Sequence, residues 1–390
     1  MGDWRASRHA PAGVGCLDCH SGEGKDRPDV EEHNGYHIVV AVTPKDCARC
    51  HEREAKEFLG SRHAQGAQFI GSLDNFLGEI VGGPQAVDVG CRQCHGSTLK
   101  AAADGRLDSA TWPNTGIGRV NLDGSSGSCS ACHARHRFSV AQARQPDNCG
   151  KCHLGPDHPQ LEIYEESKHG ILFDANRQTM NLDRLPGDWR PGKDYLYPTC
   201  ASCHMDATSS QPVTHDVGER ISWTLRPPIS TKLANADARK QAMLTVCQSC
   251  HSPGFANSFY HQYESLVMLY NDKFAAPAKQ LMDQLQADHL ITPTPFDDKI
   301  EWTYYLLWHH EGRRARHGAA MAGPDYAWWH GLFEVADCFY NEFLPEAEAL
   351  KPGISDPVLA SDYHRWRKGL SKDEVQQILD FYRQRYQQSP

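Results

Sequence analysis

Long apolar runs are missing from this 390-residue chain, and so is any excess of positive charge. No segment approaches the roughly 18 apolar residues of a membrane-spanning helix. Forty Lys and Arg stand against forty-nine Asp and Glu, a formal charge of -9 that argues against nucleic acid as a partner. The opening MGDWRASRHAPAGVG lacks the apolar run of a signal peptide. Hydrophobic residues make up only 39% of the chain, and the mean hydropathy is -0.60. That is a lean core for this length, unless something other than side chains fills the interior.

Cysteine and histidine are what the chain has in quantity: fifteen and twenty-two. Fourteen of the cysteines form seven copies of Cys-x-x-Cys-His. They are Cys16/Cys19/His20, Cys47/Cys50/His51, Cys91/Cys94/His95, Cys129/Cys132/His133, Cys149/Cys152/His153, Cys200/Cys203/His204 and Cys247/Cys250/His251. Two thiols one helical turn apart can add across the two vinyl groups of a haem, and the next residue then sets an imidazole under the iron. Structural zinc wants paired knuckles with four ligands, and a disulfide framework has no use for a histidine after every pair. The spacing therefore predicts seven covalently attached haems c, whose flat apolar faces make up for the lean core. Attachment of this kind occurs outside the cytoplasm, so a periplasmic or other extracytoplasmic location is expected, with the export signal already removed.

Fifteen histidines lie outside the motifs, enough to give most haems a second axial imidazole. His9, His63, His136, His158, His169 and His215 are the candidates. The remaining cysteine, Cys338 in VADCFYNEF, falls on the apolar side of a helix and reads as a buried free thiol.

The motifs are joined by short Gly-, Pro- and Asp-rich segments, so residues 1–255 read as helices and loops around a haem stack. From residue 256 to 390 the pattern changes. Tyr263, Leu266, Val267, Tyr270, Leu281 and Leu285 recur at helical spacing. Further long helices are expected over 298–349, broken near Gly323-Pro324, and over 371–388 with Ser371 as N-cap. The fold class is thus mainly α: a multihaem domain followed by a bundle of long helices that packs on the haem layer or builds an oligomer interface.

Four segments carry a resemblance. They are CSACHARHRFSVAQARQPDNCGKCHLGPDHPQLEIYEESKHG (129–170), CASCHMDA with THDVGERISW (200–223), CQSCHSPGFANSFYHQYE (247–264) and TPTPFDDKIEWTYYLLWHHEGRRARHGAAMAGPDYAWWHGLFEV (292–335). Over nearly its whole length the chain resembles the multihaem (octahaem) hydroxylamine oxidoreductase family. The resemblance implies a helical, periplasm-type homotrimer with eight haems per chain, the fourth of them catalytic. This chain has seven motifs, and DWRASRHA (3–10) looks like the segment that follows a first haem motif. A first site lost upstream would make Cys91/Cys94/His95 the catalytic fourth; if nothing is missing, the fourth is Cys129/Cys132/His133.

The implied chemistry is the oxidation of hydroxylamine to nitric oxide or nitrite at one open-faced haem, the others passing electrons to a partner cytochrome. His136, Asp157 with His158, and His169 are nominated to move protons; Tyr260 is a weaker nominee. In oxidising members a tyrosine from the neighbouring subunit bonds to the catalytic haem. Tyr326 in GPDYAWWHG is the candidate for that bond, and Tyr363 in SDYHRW is next. A reductive enzyme taking nitrite to hydroxylamine or ammonium, or a pure electron-transfer cytochrome, would share most of these residues.

Overall fold

The computed structural model describes residues 1–71, 73–114 and 116–387. It is mainly helical. Among the described residues the only named sheet is a hairpin of β1 (Val30–His33) and β2 (Tyr36–Val39), paired antiparallel with Glu31 opposite Ile38. By internal contacts the chain divides into two units. One comprises residues 1–224, 231–261 and 321–323, and the other 225–230, 262–320 and 324–390. No helix among the described residues is long and apolar enough to cross a membrane.

The first unit contains all seven motifs on short helices and turns. Longer helices are α1 (Glu52–Gly60), α2 (Gln160–Glu166), α3 (Lys168–Asn176) and α4 (Ala236–Cys247). Ser167 separates α2 from α3 in extended geometry and caps α3, its Oγ accepting from the Gly170 amide at 3.1 Å. A Cβ on Gly170 would lie 1.9 Å from the Tyr164 carbonyl oxygen, so only glycine lets the two helices meet at this corner. Beneath them lies a small core of Tyr164, Phe173, Leu182, Trp189 and Tyr195.

In the second unit the long helices are α5 (Pro253–Tyr270, prolonged by Asn271–Ala275 and Ala276–Ala287), α6 (residues 299–320) and α7 (residues 324–350). Residues of α5 up to His261 belong to the first unit. The expected break near Gly323-Pro324 lies where α6 gives way to α7. Wide π-type turns at Asn271–Ala275, Leu306–Glu311, Trp328–Phe333 and Cys338–Phe343 shift the apolar stripe of each rod. The helix expected from 371 is α8 (Lys372–Gln387). Its cap is reciprocal: Ser371 Oγ accepts from the Glu374 amide at 3.2 Å, and Glu374 accepts from the Ser371 amide at 2.8 Å.

Phe274, Leu281, Leu285, Leu307, Val335, Phe339, Phe343 and Ala347 fill the core of this unit. Cys338 is buried among them, and that burial pushes its thiol pKa well up. Arg316 is fully buried yet satisfied. Its guanidinium donates to the carbonyls of Gly312 at 2.7 Å and Pro227 at 2.8 Å and to Ser230 Oγ at 2.7 Å, and it lies 4.3 Å from the Tyr270 ring centroid. Phe339 contacts Phe274 edge-on at 5.4 Å and stacks on Phe343 at 6.0 Å. Replacing Phe339 by Ala is expected to cost about 3–5 kcal/mol, and so to lower the thermal unfolding midpoint by roughly 10 °C. Leu350→Ala, at an exposed position, serves as the control with little change. Circular dichroism melts of the two holoprotein variants check this.

Candidate haem sites

Each motif folds as a single helical turn. The His51 amide donates to the Cys47 carbonyl at 2.9 Å, His133 to Cys129 at 3.0 Å, His153 to Cys149 at 3.0 Å and His251 to Cys247 at 2.9 Å. Cys16–His20 and Cys200–His204 are short helices of their own. A turn of this length puts both sulfurs and the imidazole on one side. None of the fifteen cysteines is in a disulfide.

Exposure at three of these cysteines corrects one expectation from the sequence. A haem that fills a lean core should enclose the thiols that hold it, yet Cys50 is exposed, as are Cys16 and Cys250. The cause is local. The Cys50 amide donates to the Cys47 carbonyl at 3.1 Å, so Cys50 closes the motif's turn just ahead of α1. A single turn packs on one side only, and Cys47, on the inner side of this one, is half-buried. Attachment through Cys50 would therefore lie at the rim of a haem layer, and not in its interior.

The imidazoles are oriented from behind. His20 Nδ1 faces the Val39 carbonyl at 2.8 Å, His95 Nδ1 the Gly66 carbonyl at 3.2 Å, and His204 Nδ1 the Val217 carbonyl at 3.2 Å. His153 Nδ1 faces Gln160 Oε1 at 3.3 Å. A carbonyl oxygen only accepts, so Nδ1 is the donor and Nε2 keeps its lone pair for a metal.

Facing imidazoles complete the picture. Ring centroids are 6.2 Å apart for His20 and His136, 6.1 Å for His51 and His9, 6.0 Å for His153 and His63, and 6.0 Å for His251 and His169. Two imidazoles bound through nitrogen to opposite faces of one metal, at bonds of about 2.0 Å, have centroids about 6 Å apart. The donor set therefore fits haem, with a coordinating nitrogen on each side. His215 lies near His133, whose pKa burial pushes down to about 4, with the charge of His215 as the next cause.

The sulfurs show how the motifs neighbour one another. The Cys47 and Cys129 side chains are within hydrogen-bonding reach, as are Cys94 with Cys152 and Cys149 with Cys200. Electrostatic contact extends from Cys19 to Cys47, from Cys132 to Cys149 and from Cys203 to Cys247. These contacts string the first, second, fourth, fifth, sixth and seventh motifs in that order. The third meets the fifth: Cys94 Sγ also lies 3.9 Å from the Lys151 carbonyl.

The sequence-derived candidates fall into three groups. His136 and His169 are brought opposite His20 and His251. His158 Nδ1 is 2.5 Å from Asp157 Oδ1, its ring is 6.3 Å from that of His153, and its charge acts on the sulfur of Cys94. Tyr260 is buried, with Lys240 Nζ 4.9 Å from its ring centroid. Tyr326, in the second unit, is half-buried beside His330 at 5.7 Å, and His330 bonds Glu334 at 2.9 Å. Its backbone is closely packed. A Cβ on Gly318 would lie 2.4 Å from the Tyr326 carbonyl carbon, and one on Gly331 would lie 2.1 Å from its oxygen. Tyr363, the second tyrosine considered, is exposed.

One cluster escaped the reading of the sequence. Arg144, Trp189, Tyr195, Asp206 and Arg220 are all buried around the sixth motif. Isolated arginines in loops carry no periodicity, so nothing in the chain flags them.

Two family descriptions match. Residues 121–295 match the multihaem cytochrome family described as seven times CxxCH, and residues 81–154 match cytochrome c7 and related cytochromes c. A probable nitrite reductase–hydroxylamine oxidoreductase fusion protein of Kuenenia stuttgartiensis is 25% identical over 327 residues, which is 76% of this chain and 33% of that protein. The chain thus spans about a third of the length of that relative. Among solved structures, a hypothetical multihaem protein superposes with a TM-score of 0.77 at 23% identity, over 90% of this chain and 91% of the other. A reducing HAO-like protein complex of Kuenenia stuttgartiensis superposes with a TM-score of 0.68 at 22% identity, over 92% and 84%. On motifs, sequence and fold together, this chain is a multihaem cytochrome c, with covalently bound haem, related to the hydroxylamine oxidoreductase-like proteins.

Proposed function

We propose that the chain carries seven haems and oxidises hydroxylamine to nitric oxide or nitrite at the third motif, Cys91/Cys94/His95. Electrons leave through the fifth motif along the remaining haems to an acceptor cytochrome, in an extracytoplasmic compartment. The observation that carries this reading is the Asp157–His158 pair beside Cys94, at the point where the third motif meets the fifth. A bound haem supplies a metal coordination position for a small nitrogen compound and one-electron transfer. The protein supplies the rest. Oxidation of hydroxylamine releases protons together with electrons, and His158, held by the Asp157 carboxylate, is placed to accept them. His9, His63, His136, His169 and His215 act as second axial ligands, which closes those irons and suits them to electron transfer. Tyr260 packs within its helix face beneath Lys240.

Tyr326 is the residue that would reach the catalytic haem of a neighbouring chain in a homotrimer. Its support is the exposed aromatic face formed by Trp328, Trp329 and Phe333 beside it, together with the close glycine packing that fixes its backbone. A second reading, reduction of nitrite to hydroxylamine or ammonium on the same residues, is favoured by the printed descriptions of the two Kuenenia relatives.

Intact mass under denaturing, reducing conditions separates the readings. Hydroxylamine oxidation predicts covalent trimers that become monomers in Tyr326→Phe, with a mass of seven haems per chain. Clean monomers from the unaltered protein would turn the assignment to nitrite reduction. A resting protein with no high-spin haem would refute both readings and leave an electron-transfer cytochrome.

A further inference from the structure

The sixth motif is unlike the others in what is buried against it. Arg220 is 1% exposed. Its Nη1 donates to the Cys203 carbonyl at 3.0 Å, and its Nη2 donates to the carbonyls of Asp206 at 2.8 Å and Pro212 at 3.5 Å. Arg144, 3% exposed, places Nη2 3.3 Å from Asp206 Oδ1. Its Nη1 donates to the carbonyls of Leu182 at 2.8 Å and Arg184 at 2.5 Å, and its guanidinium lies 4.1 Å from the Trp189 ring centroid. Two guanidiniums therefore share one carboxyl group, and most of their hydrogen bonds go to neutral carbonyls. The neighbouring buried carboxylate, Asp194, is met by Arg184 at 4.0 Å and so adds no uncompensated charge. The cluster carries at least one net positive charge.

We infer that Arg220, supported by Arg144, is a positioning residue that raises the reduction potential of the haem held by Cys200, Cys203 and His204. Reducing a haem iron by one electron adds one negative charge. A cation held in a region without water interacts with that charge far more strongly than one at the surface. An arginine stays protonated throughout, so the effect is permanent. In the succession of motifs the sixth stands between the fifth and the seventh, through Cys149–Cys200 and Cys203–Cys247. A raised potential there makes it a holding point. An electron arriving from the fifth motif rests at the sixth before passing to the seventh, and return towards the third is disfavoured. The inference rests on the proposed haem at this motif, and not on the direction of catalysis.

The test is a potentiometric titration of the holoprotein, followed by haem absorbance and electron paramagnetic resonance, on the unaltered chain, Arg220→Gln and Arg220→Lys. Haem content is first confirmed by intact mass; a chain short of the haem at Cys200/Cys203 refutes the seven-haem reading itself. With that haem present, one transition is expected to move to lower potential in Arg220→Gln and to return towards its original place in Arg220→Lys, the others staying fixed. An unmoved set of transitions overturns the inference. So does an equal shift in both variants, which would mean a packing effect independent of charge. Should Arg220→Gln fail to fold, Arg144→Gln is read in its place. It is expected to lower the same transition, and no shift there counts against the inference.

Discussion

Replacing His158 by Gln is expected to cut turnover of hydroxylamine, or of nitrite in the reductive reading, by about 10²- to 10⁴-fold, the range of a positioned acid–base group. The haem complement should be unchanged. His158 is held at 2.5 Å by Asp157, both on the Gly155–Pro159 loop between the fifth motif and α2. Asp157→Asn removes the carboxylate but leaves an amide of the same shape, so a smaller loss is expected, carried in kcat rather than KM if its role is to orient and charge the imidazole. The competing role for His158 is axial ligation, because its ring is 6.3 Å from that of His153. The two roles separate spectroscopically. A proton carrier leaves the low-spin haem signals of His158→Gln intact while activity falls. A ligand converts one low-spin haem to high spin. That conversion, or unaltered turnover, would sink the acid–base assignment.

How much of this could be read from the chain depends on how local each signal is. The attachment sites are local: five consecutive residues close one turn, so Cys200–His204 was legible letter by letter. How deeply each turn is buried is not, which is why the exposure of Cys50 had no warning in its motif. The reciprocal cap at Ser371 and Glu374 is local in the same way as the motifs. Cys338 was legible because helical spacing alone places it with Phe339 and Phe343. Partner imidazoles are another matter. His136 meets His20 across more than a hundred residues, and His63 meets His153 across a similar span. The sequence holds enough histidines, but no periodicity says which faces which. The order of the motifs is also non-local. Cys94 meets Cys152 and passes over the nearer pair Cys129/Cys132, a consequence of loop paths that carry no pattern. The buried arginines at the sixth motif were illegible for a related reason. Arg220 is an isolated charge in THDVGER, and only its carbonyl acceptors show that it points inward.

The double nomination of His136 and His169, as proton carriers and as ligands, has a sharp experimental resolution. His136→Ala and His169→Ala are each expected to raise the carbon monoxide bound by the reduced protein by one equivalent per chain. Each should also convert one low-spin haem to high spin. The argument is geometric. His136 faces His20 at 6.2 Å and His169 faces His251 at 6.0 Å, the separation of two imidazoles on one metal. The pairs His9–His51 and His63–His153 repeat that spacing, so a single structural rule accounts for all four. His169 sits on the first turn of α3, which Ser167 caps and Gly170 fixes against α2, so its direction is set by backbone and not by a flexible loop. The first and seventh motifs stand at the two ends of the succession, away from the third. Opening either iron should therefore leave the acid–base step at His158 untouched and affect turnover only through electron exit. If carbon monoxide binding stays at its original stoichiometry in both variants while turnover falls as far as in His158→Gln, these histidines move protons and the ligand assignment is wrong. The two ends are then told apart by the electron acceptor. The variant whose loss of turnover is relieved by a small artificial acceptor marks the end from which electrons leave.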